Sequence, residues 1–173
     1  MSITVRPSTR ADLAAIDALL ARSYPKLLKA DYPPSVLVTA LPLISRANPR
    51  LVTCGTYYVA DEAGAILGAG GWTPDGKDKL RGHIRHLVTD DRHLRRGIGR
   101  ALIGHSLAVA RDAGVRRMEC WSTLTAERFY QSLGFRTLGP MEVQLAGGIS
   151  FPSLRMMLDL PPGDAPTQKG PVE

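Results

Sequence analysis

The chain has 173 residues, 44% apolar and 22% charged, the balance of one globular domain with a real core rather than a disordered or fibrous chain. No run of about 18 apolar residues is present, so neither a membrane span nor a membrane partner is expected. The net charge of +6 is concentrated: residues 77–117 hold eleven of the 22 Lys and Arg side chains against four acids, a field that suits nucleic acid, a phosphorylated cofactor or plain solvent.

The opening residues Met1 to Arg6 lack the basic start and apolar run of a signal peptide. Ile3 to Arg6 reads as a short strand. Ser8 or Thr9 can cap a helix whose Leu13, Ile16, Leu19 and Leu20 share one face. Residues 24–50 carry no clear period; Tyr32-Pro33-Pro34 breaks the chain, and a helix is expected from about Ser35, disturbed by Pro42. Thr56 to Ala60 and Ala65 to Trp72 form a hairpin about the turn Asp61-Glu62-Ala63-Gly64. Gly68, Gly70 and Gly71 weaken the returning strand, or mark a bulge or a close backbone approach.

A strand over His83 to Thr89 precedes a polar turn and a long helix over Gly97 to Ala113, stopped by Gly114. Arg117 to Trp121 is a strand and Ala126 to Leu133 a short helix stopped by Gly134. Phe135 to Leu138 and Leu154 to Leu158 are closing strands. Hairpin and β-α-β orders together predict an α/β domain of the α+β type. Its mixed, mostly antiparallel sheet of about six to seven strands carries helices on both faces. The domain is expected to span residues 1–159, with a flexible proline-rich tail over 160–173.

Chemistry is concentrated at Arg95-Arg96-Gly97-Ile98-Gly99-Arg100. Glycines at a helix mouth let a ligand approach the backbone, and the first helical N–H groups lack intrahelical partners. The helix dipole and the flanking arginines favour phosphate there. The P-loop spacing is absent, and Leu102 stands where a dinucleotide fingerprint needs its third glycine. A glycine-rich structural turn stays open at this point. Cys54 and Cys120 are too few and too isolated for a disulfide framework or a zinc site, so no metal and a cytoplasmic setting are expected. Glu119 and Cys120 sit on the strand that follows the long helix.

Residues 84–139 resemble the GNAT superfamily of N-acetyltransferases. The pyrophosphate motif of that family, Gln/Arg-x-x-Gly-x-Gly/Ala, falls on Leu94 to Gly99, with Leu94 departing from its first position. A second family motif, Asn-x-x-Ala-x-x-x-Tyr-x-x-x-Gly-Phe, falls on Thr123 to Phe135. Ala126, Tyr130, Gly134 and Phe135 match, and Thr123 replaces the Asn. The resemblance extends loosely over residues 1–159. It implies acetyl-CoA as cosubstrate, its pantetheine arm lying along the backbone of Leu87, Val88 and Thr89. Pyrophosphate would rest on Leu94, Arg95, Arg96, Gly97, Ile98, Gly99 and Arg100, with Thr123 and Ala126 beside the arm. Tyr130 would donate a proton to the departing thiolate, as a phenol with pKa near 10 can.

His86 is a candidate base, since strand alternation puts it on one face with Ile84 and Val88 and histidine titrates near neutrality. His83 and Glu119 are the alternatives. The implied reaction moves an acetyl group to a primary amine of a small molecule or peptide, by direct attack in a ternary complex. A non-catalytic acyl-CoA sensor of the same fold remains the alternative. A nucleic-acid partner is not expected, since only 6% of residues are aromatic and no recognition motif occurs. Homodimers are common for this resemblance. Trp72, Tyr32 and Tyr24 are candidates for the acceptor site, placed on segments 24–50, 72–82 and 139–153.

Overall fold

The computed structural model describes residues 2–162. Seven strands form one sheet: β1 (Thr4–Pro7), β2 (Tyr57–Glu62), β3 (Ala65–Pro74), β4 (Arg81–Thr89), β5 (Arg117–Thr123), β6 (Arg136–Gln144) and β7 (Ser150–Asp159). Their spatial order is β1-β2-β3-β4-β5-β7-β6, and every neighbouring pair is antiparallel except β4 and β5. Among the described residues five α-helices accompany them: α1 (Leu13–Leu28), α2 (Pro34–Ile44), α3 (Pro49–Val52), α4 (Ile98–Asp112) and α5 (Glu127–Ser132). Alternation along β2 divides the core. Tyr58 and Ala60 pack with Leu102 and Ile103 of α4, while Tyr57 and Val59 pack with Ile16, Leu19 and Leu20 of α1.

Three elements run longer than the sequence pattern indicates. Helix α1 passes through Pro25, although proline has no N–H for the Ala21 carbonyl, because Ser23, Tyr24 and Leu28 extend the buried face of Ile16, Leu19 and Leu20. Strand β6 continues through Gly139 and Pro140, which a sheet edge tolerates. Strand β7 begins four residues before the predicted start, at Ser150, since it pairs on both sides, with β5 and β6. Thr9 caps the turn leading into α1, whereas Ser8 Oγ donates to the Val52 carbonyl at 2.6 Å. The fold also runs one residue past the predicted boundary: Leu160 is buried and its N–H donates to the Arg116 carbonyl at 2.8 Å. Of the rest of the expected tail, Pro161 and Pro162 are exposed and 163–173 lie outside the described residues.

The glycines of β3 mark close approach. A Cβ at Gly68 would lie 2.6 Å from Ile98 Cγ2, so the missing side chain lets α4 settle on the sheet. At Gly71 a Cβ would lie 2.2 Å from the Thr56 carbonyl oxygen. The β2–β3 turn places Ala63 (φ 51°) and Gly64 (φ 89°) in the left-handed region, which matches the twist of a tight hairpin.

Candidate active site

Strands β4 and β5 pair only at their start, over Arg81–Arg117, Gly82–Met118 and His83–Glu119. Beyond that ladder they part. A bulge in β4 accompanies the separation: Ala69 pairs with Val88 and Gly71 with Arg85, so Gly70 faces both His86 and Leu87. His86 takes φ +46°, a conformation that costs a non-glycine residue roughly 1–3 kcal/mol. Two tyrosines hold the bulge, Tyr57 Oη donating to the His86 carbonyl (2.7 Å) and Tyr24 Oη to the Leu87 carbonyl (2.9 Å). The expectation of free backbone along Leu87, Val88 and Thr89 is therefore corrected at Leu87, whose carbonyl is engaged. The bulge also reverses the side-chain alternation. Ile84 packs into the core beneath α4, while His86 Nε2 donates to the Ile44 carbonyl of α2 at 2.8 Å, so the two do not share a face.

The separation opens a cleft of about 840 Å³ on the side of α4. Of the predicted cofactor residues, Leu87, Val88, Thr89, Leu94, Arg95, Gly97, Ile98, Gly99, Arg100, Thr123 and Ala126 line it. Gly97 supplies φ +75° at the N-cap of α4. The first N–H to bond back along the helix is that of Ala101, to the Gly97 carbonyl at 2.9 Å, which leaves those of Ile98, Gly99 and Arg100 facing the helix mouth. Gly99 has a different reason: a Cβ there would sit 3.1 Å from Phe129 Cζ. Arg95, Arg100 and Arg128 line the cleft with no acidic partner among the described residues. Arg96 does not join them. Positive φ at Arg95 and Gly97 turns successive side chains apart, and the Arg96 guanidinium pairs with Glu62 at the end of β2.

Asp90 anchors the turn before this mouth. Its carboxylate, 1% exposed, accepts from Arg22 of α1 (2.6 Å) and from Arg92 (3.1 Å). Burial alone would raise its pKa, but the Arg92 hydrogen bonds and the Arg22 charge outweigh burial and hold it well below the carboxylate range.

A second pocket of about 430 Å³ lies on the other side of the separation. Tyr24, Leu87, Thr123 and Ala126 line both spaces, so the two meet between β4 and β5. Tyr130 lines the second pocket, not the first, with its ring edge-on to Phe129 and Phe135. Burial raises its pKa well above that of a free phenol, so it is protonated. Cys120 lies beside it, pushed up to about 12 by the same burial, and is no thiolate nucleophile at neutral pH. His86 also lines this pocket; burial lowers its pKa against the opposing Ile44 hydrogen bond. Nε2 carries the proton that bonds Ile44, and Nδ1 has no hydrogen-bond partner among the described residues. Thr123 Oγ1 is used by the backbone, accepting from Ala126 N–H at 3.2 Å.

The other base candidates lie away from both spaces. Glu119 is tied to Arg155 Nε at 2.5 Å, and His83 bonds Asp75 at 2.7 Å. Trp72 is buried in the core beneath α4. Tyr32 Oη donates to the Pro152 carbonyl at 2.7 Å and stacks on Phe151, bracing a wall of the second pocket. Sequence reasoning missed the α1 wall of the first cleft (Leu27, Leu28) and the α5 contribution of Arg128 and Phe129. A 3.6-residue period from Leu20 through Tyr24 to Leu28 is the signal that finds the first; the second has none.

The family model for the acetyltransferase (GNAT) family matches residues 15–135. The chain belongs to this family. Among its relatives is human N-acetyltransferase 8B, 33% identical over 96 residues, which cover 51% of this chain and 42% of the relative. Human N-acetyltransferase 8 is 33% identical over 89 residues, covering 48% and 39%. The match thus spans about two fifths of the length of these relatives. A GCN5-related N-acetyltransferase from Rhodopseudomonas palustris superposes with a TM-score of 0.76 at 20% identity, over 92% of this chain and 97% of that one. YncA of Salmonella typhimurium, solved with its cofactor acetyl-CoA, gives 0.64 at 20% identity, over 97% and 99%. At these identities the likeness is one of fold. GNAT proteins are acetyltransferases, and this chain has their single α/β domain with a seven-stranded mixed sheet.

Proposed function

We propose that this GNAT protein transfers the acetyl group of acetyl-CoA to a primary amine by direct attack in a ternary complex. The observation that carries the reading is the meeting of two spaces between β4 and β5. One has an anion-ready helix mouth, and the other has a protonated phenol and an unprotonated imidazole. The first fits a phosphorylated cofactor: three arginines without acidic partners among the described residues, helical N–H groups with no partner back along the helix and a left-handed Gly97 converge there. Arg95, Arg100 and the N–H groups of Ile98 to Arg100 would hold the pyrophosphate, and the exposed edge of β4 near Val88 and Thr89 the pantetheine arm. Bound there, acetyl-CoA supplies the activated acyl group.

His86 is the group suited to take the proton of the incoming amine. Neither space has a carboxylate among its lining residues; of the two histidines there, His93 lies at the helix mouth 3.5 Å from Asp90, whereas His86, kept neutral by burial, lines the second pocket where the amine would enter. Ile44 fixes its tautomer, leaving Nδ1 as acceptor. As the C–N bond forms and the C–S bond breaks, Tyr130 Oη gives its proton to the leaving sulfur. Burial raises the phenol, and a thiol in the same apolar setting is raised likewise, so donor and acceptor stay matched. We expect Tyr130→Phe to lower kcat about a hundredfold while acetyl-CoA affinity is unchanged, read by thiol release and calorimetry. An unaltered kcat removes Tyr130 from the mechanism.

A further inference from the structure

The acceptor pocket has an uneven chemistry. Its charged lining residues are Arg46 and Arg85, and no acid lines it among the described residues. Arg85 is half-buried and its orientation is fixed: Nε donates to Thr73 Oγ1 on β3 at 2.7 Å, while its two terminal amino groups have no partner among the described residues. Such a fork matches the two oxygens of a carboxylate. Arg46 follows α2 at the rim, exposed and likewise without an acidic partner among the described residues. The facing wall is apolar, with Leu43, Leu51, Val143, Leu145 and Phe151.

An acceptor amine must enter this field. A polyamine or aminoglycoside brings several positive charges into a space that offers two more and no counter-charge, which Coulomb repulsion opposes. A molecule with a carboxylate gives the arginines their partner. Its ammonium then sits among like charges, which lowers its pKa and favours the neutral, nucleophilic form. A space of about 430 Å³ suits a small molecule rather than a folded domain.

We infer that the acceptor is a small primary amine bearing a carboxylate and an apolar side chain, of the α-amino-acid class, its carboxylate held by Arg85 in the pocket and Arg46 at the rim. This rests on the acetyl-transfer reading above. The acetyl group passes to the amino nitrogen, the C–S bond breaks, and the carboxylate is untouched.

The test compares thiol release for leucine, leucinamide, isoamylamine, the phosphonate analogue of leucine, and spermidine, with acetyl-CoA binding followed separately by calorimetry. We expect kcat/KM for leucine to exceed that for leucinamide and isoamylamine by about thirtyfold or more. Arg85→Gln should erase that preference by raising KM for leucine. Arg46→Gln should cost about threefold, as an exposed charge does. Equal use of amide and acid, or a preference for spermidine or the phosphonate, overturns the inference while acetyl transfer stands. A preference for leucine that survives Arg85→Gln overturns the assignment to Arg85. Acetyl-CoA binding with no thiol released by any acceptor sinks the transfer reading itself.

Discussion

His86 is held by three neighbours: Ile44 through Nε2, Tyr57 through its carbonyl, and Tyr24 against its ring, with centroids 5.7 Å apart. Burial keeps its pKa below the ordinary 6.5. As pH falls from neutrality, the unfolded chain therefore gains the proton first. The stability linked to His86 is complete above about 6.5 and is lost as pH falls through the lower folded value. If the imidazole is also the base, the acid limb of kcat/KM lies below about 6.5. We expect His86→Gln to remove that limb and to flatten the fall of Tm between about pH 7.5 and about pH 5.5. A limb that persists in the variant removes His86 from the role of base.

Where β4 meets α4, two glycines act through different physics. Alanine at Gly97 must adopt φ +75° with open space around it, so the penalty is conformational, about 1 kcal/mol or some 3 °C in Tm. A side chain at Gly99 meets Phe129 and the helix mouth together. Gly99→Glu adds a carboxylate where phosphate would sit, and should weaken acetyl-CoA binding by about a hundredfold or more in calorimetry while circular dichroism shows a folded protein. Retained affinity would refute the cradle. These glycines were legible in the sequence because a helix mouth is a local pattern, and so were the β2–β3 hairpin and the ends of α4 and α5. The bulge was not. It depends on Tyr24 and Tyr57, distant in the chain, reaching two carbonyls, and no local alternation signals that. Pro25 likewise hid the second half of α1, where burial of Tyr24 and Leu28 overrides helix propensity.

Across the whole molecule, Asp90 ties α1 to the turn that leads into the mouth of α4, through Arg22 on one side and Arg92 on the other. Asp90→Ala leaves Arg22 without this partner and the turn unpinned. We expect a loss of about 2 kcal/mol, seen as a lower urea midpoint at unchanged slope, with weaker acetyl-CoA binding. Arg22 is partly exposed, which keeps the figure below that of a fully buried pair. The acceptor pocket is assembled at this same scale, from α2, β4, β5, α5 and the β6–β7 hairpin. Segments 24–50 and 139–153, which the sequence marks for the acceptor, do supply Leu43, Ile44, Arg46, Val143 and Leu145, but no motif singles out those side chains, whereas the helix mouth is a local pattern. The short ladder at Arg81–His83 has a mechanical consequence. Among the described residues it is the sole strand pairing between the half-sheet β1–β4 and the half-sheet β5–β7–β6, and the chain Asp75–His83–Glu119–Arg155 clasps it like a rivet at the spine of a book. Val88 lies five residues farther along, a lever arm of about 16 Å, so a tilt of about 10° at the spine changes the gap there by about 3 Å.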